Sequence, residues 1–104
     1  ATFYTAKAWV NFDGSAGTIS PRASGNVSGV VDAGVGVYTV SFTTSFSDAN
    51  YIVATAGNRG VGQSTMRTIG IDEDSPPTTG SARIDSTVTN SNFDADRVML
   101  SFTR

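Results

Sequence analysis

The chain of 104 residues has no cysteine and no histidine. Without cysteine there is no disulfide, no thiolate nucleophile and no thiolate metal site, and the redox state of the surroundings leaves the chain unchanged. Without histidine the commonest general base and the commonest metal ligand are both missing, which argues against a nucleophile–base triad or a zinc hydrolase. Charge is scarce as well, at 15% of residues with a net charge of −2. A chain so composed has no basic footprint for neutralising phosphates, so nucleic acid is not an expected partner. No apolar run approaches the ~20 residues of a membrane helix. Ala1-Thr2-Phe3-Tyr4 also lacks the charged and then apolar regions of a signal peptide, so no membrane insertion is expected.

Leucine appears only at Leu100, whereas there are 11 glycines and many serines and threonines, a balance that leans away from helix and toward short strands joined by tight turns. No window of eleven or more residues carries the i, i+3, i+4, i+7 pattern of an amphipathic helix. Strand patterning is plain instead. Successive side chains of an extended chain point to opposite faces, so in 6–12 Ala6, Ala8, Val10 and Phe12 share one side while Lys7, Trp9 and Asn11 share the other. In 37–44, Tyr38, Val40 and Phe42 likewise fall opposite Thr39, Ser41 and Thr43. Two such ribbons are not stable alone and must close over a shared apolar layer.

The rest of the chain follows the same rhythm. Asp13-Gly14-Ser15-Ala16-Gly17 is a turn, and Thr18-Ile19-Ser20 before Pro21 reads as a short edge segment. Asn26 to Asp32 reads as a strand with a bulge near Gly29, and Ala33-Gly34-Val35-Gly36 as the turn into the Tyr38 strand. Tyr51 to Ala56 is a compact apolar run expected to be buried on both faces. Gly57 to Ser64 is a glycine-rich loop, and 65–71 alternates weakly. Ala82, Ile84 and Val88 are in phase, 90–96 turns once more, and Val98, Leu100 and Phe102 share a face of the last strand. Seven or eight short strands at intervals of about ten residues predict one all-β domain over 1–104, an antiparallel β-sandwich or flattened β-barrel.

Four blocks then form a series: Lys7-Ala8-Trp9-Val10-Asn11-Phe12-Asp13-Gly14, Arg22-Ala23-Ser24-Gly25-Asn26-Val27-Ser28, Tyr38-Thr39-Val40-Ser41-Phe42-Thr43-Thr44 and Asp48-Ala49-Asn50-Tyr51. With the ending Val98-Met99-Leu100-Ser101-Phe102-Thr103-Arg104, the series resembles the C-terminal domain of bacteriophage tail-fibre proteins of the marine and cyanobacterial phage type. Residues 57–80 carry none of the resemblance, and no fibrous shaft precedes it in these residues. The resemblance implies a virion structural protein without enzymatic activity that associates as a homotrimer with other virion proteins nearby. It also implies a distal position at which a host-surface glycan or protein receptor is met. It marks no catalytic or binding residue. A capsid decoration protein that clamps neighbouring shell subunits is the alternative.

Several residues invite a site reading. Trp9, out of phase with the apolar face of its strand, suits an interface between subunits, a second buried face or a platform for stacking carbohydrate. Phe3 and Tyr4 would expose much apolar area on a monomer and are further candidates for an oligomer interface. Asn58, Arg59 and Gln63 offer polar donors on the glycine-rich loop, where a receptor contact and a plain solvent-facing tip fit equally. Asp72-Glu73-Asp74 fits no calcium-loop spacing and reads as a solvated acidic loop. It also lacks the facing geometry of a glycosidase pair. Asn26-Val27-Ser28 formally matches a glycosylation acceptor. No catalytic residue, metal site or cofactor is expected.

Overall fold

A computed structural model of the chain describes residues 6–15, 18–57, 68–72, 75–88, 91–92 and 97–104. Within them the chain is all-β, and two antiparallel sheets pack as a sandwich. The strands are β1 (Ala6–Phe12), β2 (Ala23–Gly25), β3 (Val27–Gly34), β4 (Val37–Phe42), β5 (Ile52–Gly57), β6 (Thr68–Ile71), β7 (Ser81–Val88), the two-residue β8 (Ser91–Asn92) and β9 (Val98–Thr103). One sheet has the order β2-β1-β9-β5; the other has the order β3-β4-β7-β6, with β8 paired to the end of β7.

The period of two explains which side chains form the core. Ala8 pairs with Phe102, Val10 with Leu100 and Phe12 with Val98, so three inward rows of the first sheet are set by the β1–β9 register. Tyr38 opposite Ile84 and Val40 opposite Ala82 supply matching rows of the second. All of these side chains are buried. At one end Phe42, Phe46, Tyr51 and Phe102 form an aromatic cluster with ring centroids between 4.6 and 6.0 Å apart, edge-to-face except for the tilted Phe46–Tyr51 pair. At the other, Phe12 meets Tyr38 edge-on at 5.2 Å. Both buried tyrosines place their hydroxyls on backbone: Tyr38 donates to Gly14 O at 3.0 Å, and the Tyr51 hydroxyl lies 2.8 and 3.0 Å from Thr78 O and Ser81 O. Burial pushes the Tyr51 phenol above its ordinary pKa.

Two seams join the sheets. At one, the Thr55 hydroxyl donates to Ile69 O at 3.0 Å, and Gly57 gives the Ile69 side chain room against the backbone of β5. At the other, the chain crosses between sheets at Asn26, whose φ of 55° is a left-handed conformation that asparagine tolerates better than most residues. The Asn26 amide nitrogen donates to Lys7 O (3.0 Å) and Thr44 O (3.1 Å), while its oxygen accepts from Thr44 N (2.7 Å). One side chain therefore ties β1 and the loop after β4 to the corner.

The bulge expected near Gly29 is present as a register shift between Val27 and Gly29, and a second shift falls between Asp32 and Gly34. β3 is an edge strand, and bulges blunt the template that an edge offers to other chains. Two sequence expectations need correction. The edge strand expected at Thr18 to Ser20 is instead β2, after Pro21 and Arg22, where the chain re-enters the sheet through the Arg22 N to Asn11 O bond at 2.7 Å. The run expected to be buried on both faces is not: Tyr51 is buried, but Ile52 is 70% exposed and Ala54 and Ala56 lie open. The cause is position, since β5 is an edge strand whose outward face has nothing above it among the described residues.

The Ser86 side chain is fully buried, and its hydroxyl has no hydrogen-bond partner among the described residues. An unsatisfied buried hydroxyl costs free energy that a methyl group does not. Ser86→Ala is therefore expected to raise unfolding stability by about 1 kcal/mol in a denaturant titration with unchanged slope.

Candidate functional site

The outward side of the β2-β1-β9-β5 sheet is laid out by the same registers that build the core. Gly25, Trp9, Ser101 and Ala54 form one outward row, Ala23, Asn11, Met99 and Ala56 the next, and Ala6, Thr103 and Ile52 a third. Trp9 is 44% exposed. Its indole lies across Gly25 of the edge strand, where a Cβ would collide with indole Nε1 and sit 2.9 Å from Cδ1. A large ring covering a cross-strand glycine is a recurrent device for stiffening a weak edge. On its other side the ring stands over small residues, so a groove of about 390 Å³ opens between Trp9 and β5, floored by Ser101, Met99, Ala54 and Ala56.

Among the described residues, the patch from Trp9 to Ala56 carries no charge. The outward side of β7 differs, because it presents Arg83 and Asp85. The two outer faces of the sandwich are thus chemically unequal. The uncharged one holds the exposed Trp9 and Ile52 and the half-buried Met99.

A second concavity, of about 370 Å³, lies at the Asn26 corner. Lys7, Arg104, Thr44, Ser45, Phe46 and Ser47 line it. Arg104 is fixed by a bidentate pair, with Nε 2.8 Å from Asp48 Oδ1 and Nη2 2.8 Å from Asp48 Oδ2. Asp48 is in turn held by Asn50 N at 2.8 Å. The Arg104 guanidinium foremost, then the Asn50 amide, lower the Asp48 carboxyl to about 2, and the same pair raises the pKa of Arg104. Asp13 is lowered as well, chiefly by the Ser15 hydroxyl at 2.6 Å and the Ser15 amide, with Arg22 adding its charge. Carboxylates held so firmly ionised suit fixed loops rather than proton donation at neutral pH.

Of the residues singled out in the sequence, Trp9 lies at the centre of the uncharged face. Phe3, Tyr4, Asn58, Arg59 and Gln63 lie outside the described residues, as do Glu73 and Asp74. Asp72 is engaged in backbone pairing, its N–H donating to Arg83 O at 3.1 Å and its carbonyl accepting from Ser75 N at 3.1 Å. Among the described residues no three His, Cys, Asp or Glu side chains cluster as metal ligands would. Sequence reasoning missed the outward Ala54 and Ala56 and the pairing of Asp48 with Arg104. The first was hidden in an apolar run that reads as core, and the second spans 56 positions.

Two measurements check this geometry. The folded-state pKa of Asp48 lies below the ordinary 3.8, so the stability it contributes is complete above that value and lost as pH falls through about 2. A carboxyl NMR titration should place its midpoint near 2, and Arg104→Gln should move that midpoint up toward 3.8. Trp9 is the only tryptophan, which makes its fluorescence a local probe. Gly25→Ala should push the indole off the edge strand, shift its emission to longer wavelength and cost about 1 kcal/mol of stability.

Compared with protein-family models, with curated proteins and with solved structures, the chain finds no match in any of the three.

Proposed function

We propose that this domain is a non-enzymatic structural module of a phage particle, a tail-fibre tip that assembles as a homotrimer and meets a host-surface receptor. The observation that carries the reading is the uncharged outer face of the β2-β1-β9-β5 sheet. A free-standing sandwich keeps its outward rows polar, yet this face presents Trp9, Met99, Ala54, Ala56 and Ile52. Its occupant in this proposal is a second copy of the chain. With no charge in the patch, copies meet there without repulsion, and burying aromatic and methionine side chains against one another is the usual chemistry of subunit contacts. The flat sheet offers about 400 Å² at ordinary strand spacing and rise, roughly half of what one partner of a standard interface buries. Loops flanking the sheet supply the remainder in this proposal.

The position at a tail-fibre tip in this proposal rests on the resemblance of the sequence to tail-fibre domains. A stiff sheet carries receptor contacts well, because a trimer presents three weak contacts at high effective concentration. The firmly ionised Asp13 and Asp48 fit a binding module better than an acid–base catalyst.

Light scattering after size exclusion at micromolar concentration is expected to return a trimer. Ala54→Glu, which puts a charge in the exposed face and leaves the core intact, is expected to return a folded monomer with an unchanged β-sheet circular-dichroism spectrum and a lower melting temperature, since association no longer supports the fold. A wild-type monomer would overturn the trimer. Binding to phage heads in hundreds of copies, with no binding to host cells or to a glycan array, would replace the tail-fibre reading with the decoration reading.

A further inference from the structure

We infer that the corner cleft at Lys7 and Arg104 is a binding site for a singly charged acidic sugar residue, a hexuronate. The inference starts from a backbone irregularity. In the β1–β9 ladder Ala6 pairs with Thr103 and Ala8 with Phe102, so Lys7 is the extra residue of a bulge. A bulge re-aims the side chain it carries. Lys7 lines the cleft that Arg104, the next residue after β9, also lines.

The cations there suit a carboxylate. The Arg104 guanidinium is paired with Asp48, whereas the Lys7 ammonium makes no ion pair among the described residues and is open to a carboxylate. Two of the five N–H donors of Arg104 are spent on Asp48, and the other three remain to orient a carboxylate. Because the Asp48 pair already fixes the guanidinium, little side-chain freedom is lost when a ligand arrives.

The remaining lining suits a sugar ring. Thr44, Ser45 and Ser47 bring hydroxyls that both donate and accept, and Phe46, mostly buried in the aromatic cluster, lends a narrow apolar edge to the wall. The volume of about 370 Å³ lies at the small end of ligand clefts, the size for one saccharide unit and part of a neighbour. The Asn26 amide is committed to Lys7 and Thr44, so it shapes the wall without serving the ligand.

The assignment deepens the receptor-binding reading and rests on it for its biological sense, but a titration of the free domain tests it alone. Amide NMR spectra would be followed on adding sodium D-glucuronate, D-glucose and sodium acetate at constant ionic strength. Saturable shifts at 44–47 and at Arg104 are expected with glucuronate at millimolar affinity, with glucose and acetate at least about tenfold weaker. Lys7→Met should weaken glucuronate binding about tenfold, and Lys7→Arg should retain it. Equal affinity for glucose, non-saturating shifts, or unchanged binding by Lys7→Met would overturn the site. Trimer formation and host-cell binding are read separately, so their failure leaves the outcome at this cleft unaffected.

Discussion

Phe102 and Phe42, their rings 5.0 Å apart and steeply inclined, connect an inner strand of one sheet to an inner strand of the other. Much of the molecule follows from that contact. Tyr51 and Phe46 close around the pair, and the Tyr51 hydroxyl holds the backbone at Thr78 and Ser81 where the chain enters β7. Fixing Phe102 inward also fixes its neighbours. Because strand side chains alternate, a slip of one residue would carry Phe102 out and Ser101 in, and the apolar cluster forbids it. The outward rows of Trp9, Ser101 and Ala54 are therefore a product of core packing as much as of their own chemistry.

Period-two patterning reveals β1, β4, β7 and β9 in the sequence because each has one wet and one dry face, and alternation records that contrast directly. The Gly29 bulge was visible because adjacent valines break phase. Tyr51 to Ala56 misled for the opposite reason. Residues on both faces are apolar there, and periodicity cannot tell a face covered by the chain itself from one left uncovered. The edge strand slid past Pro21 because a three-residue pairing has almost no pattern of its own. The outward position of Trp9 was legible from its phase alone. The corner cleft was not, since it depends on a bulge at Lys7, on Asn26 reaching Lys7 and Thr44 across 19 and 18 positions, and on a terminal arginine meeting Asp48.

The uncharged face and the corner cleft share one strand. Trp9 and Lys7 stand two residues apart on β1, and the bulge between Ala6 and Ala8 separates their duties. One side chain stays with the flat face, and the other turns to the corner. In the proposed trimer this arrangement repeats a weak anionic-sugar contact around a particle whose stiffness comes from paired strands, which is how feeble single contacts become durable attachment.

Asn26 carries a last consequence. It begins an Asn-Val-Ser sequence of the kind that oligosaccharyl transfer enzymes modify, yet its amide nitrogen is already engaged by two carbonyls and its backbone sits at a left-handed corner. Made in a eukaryotic secretory pathway, the chain would meet a race between sugar attachment and closure of this corner. A copy glycosylated first would be barred from joining its sheets here, while a copy that closed first would stay bare at this position.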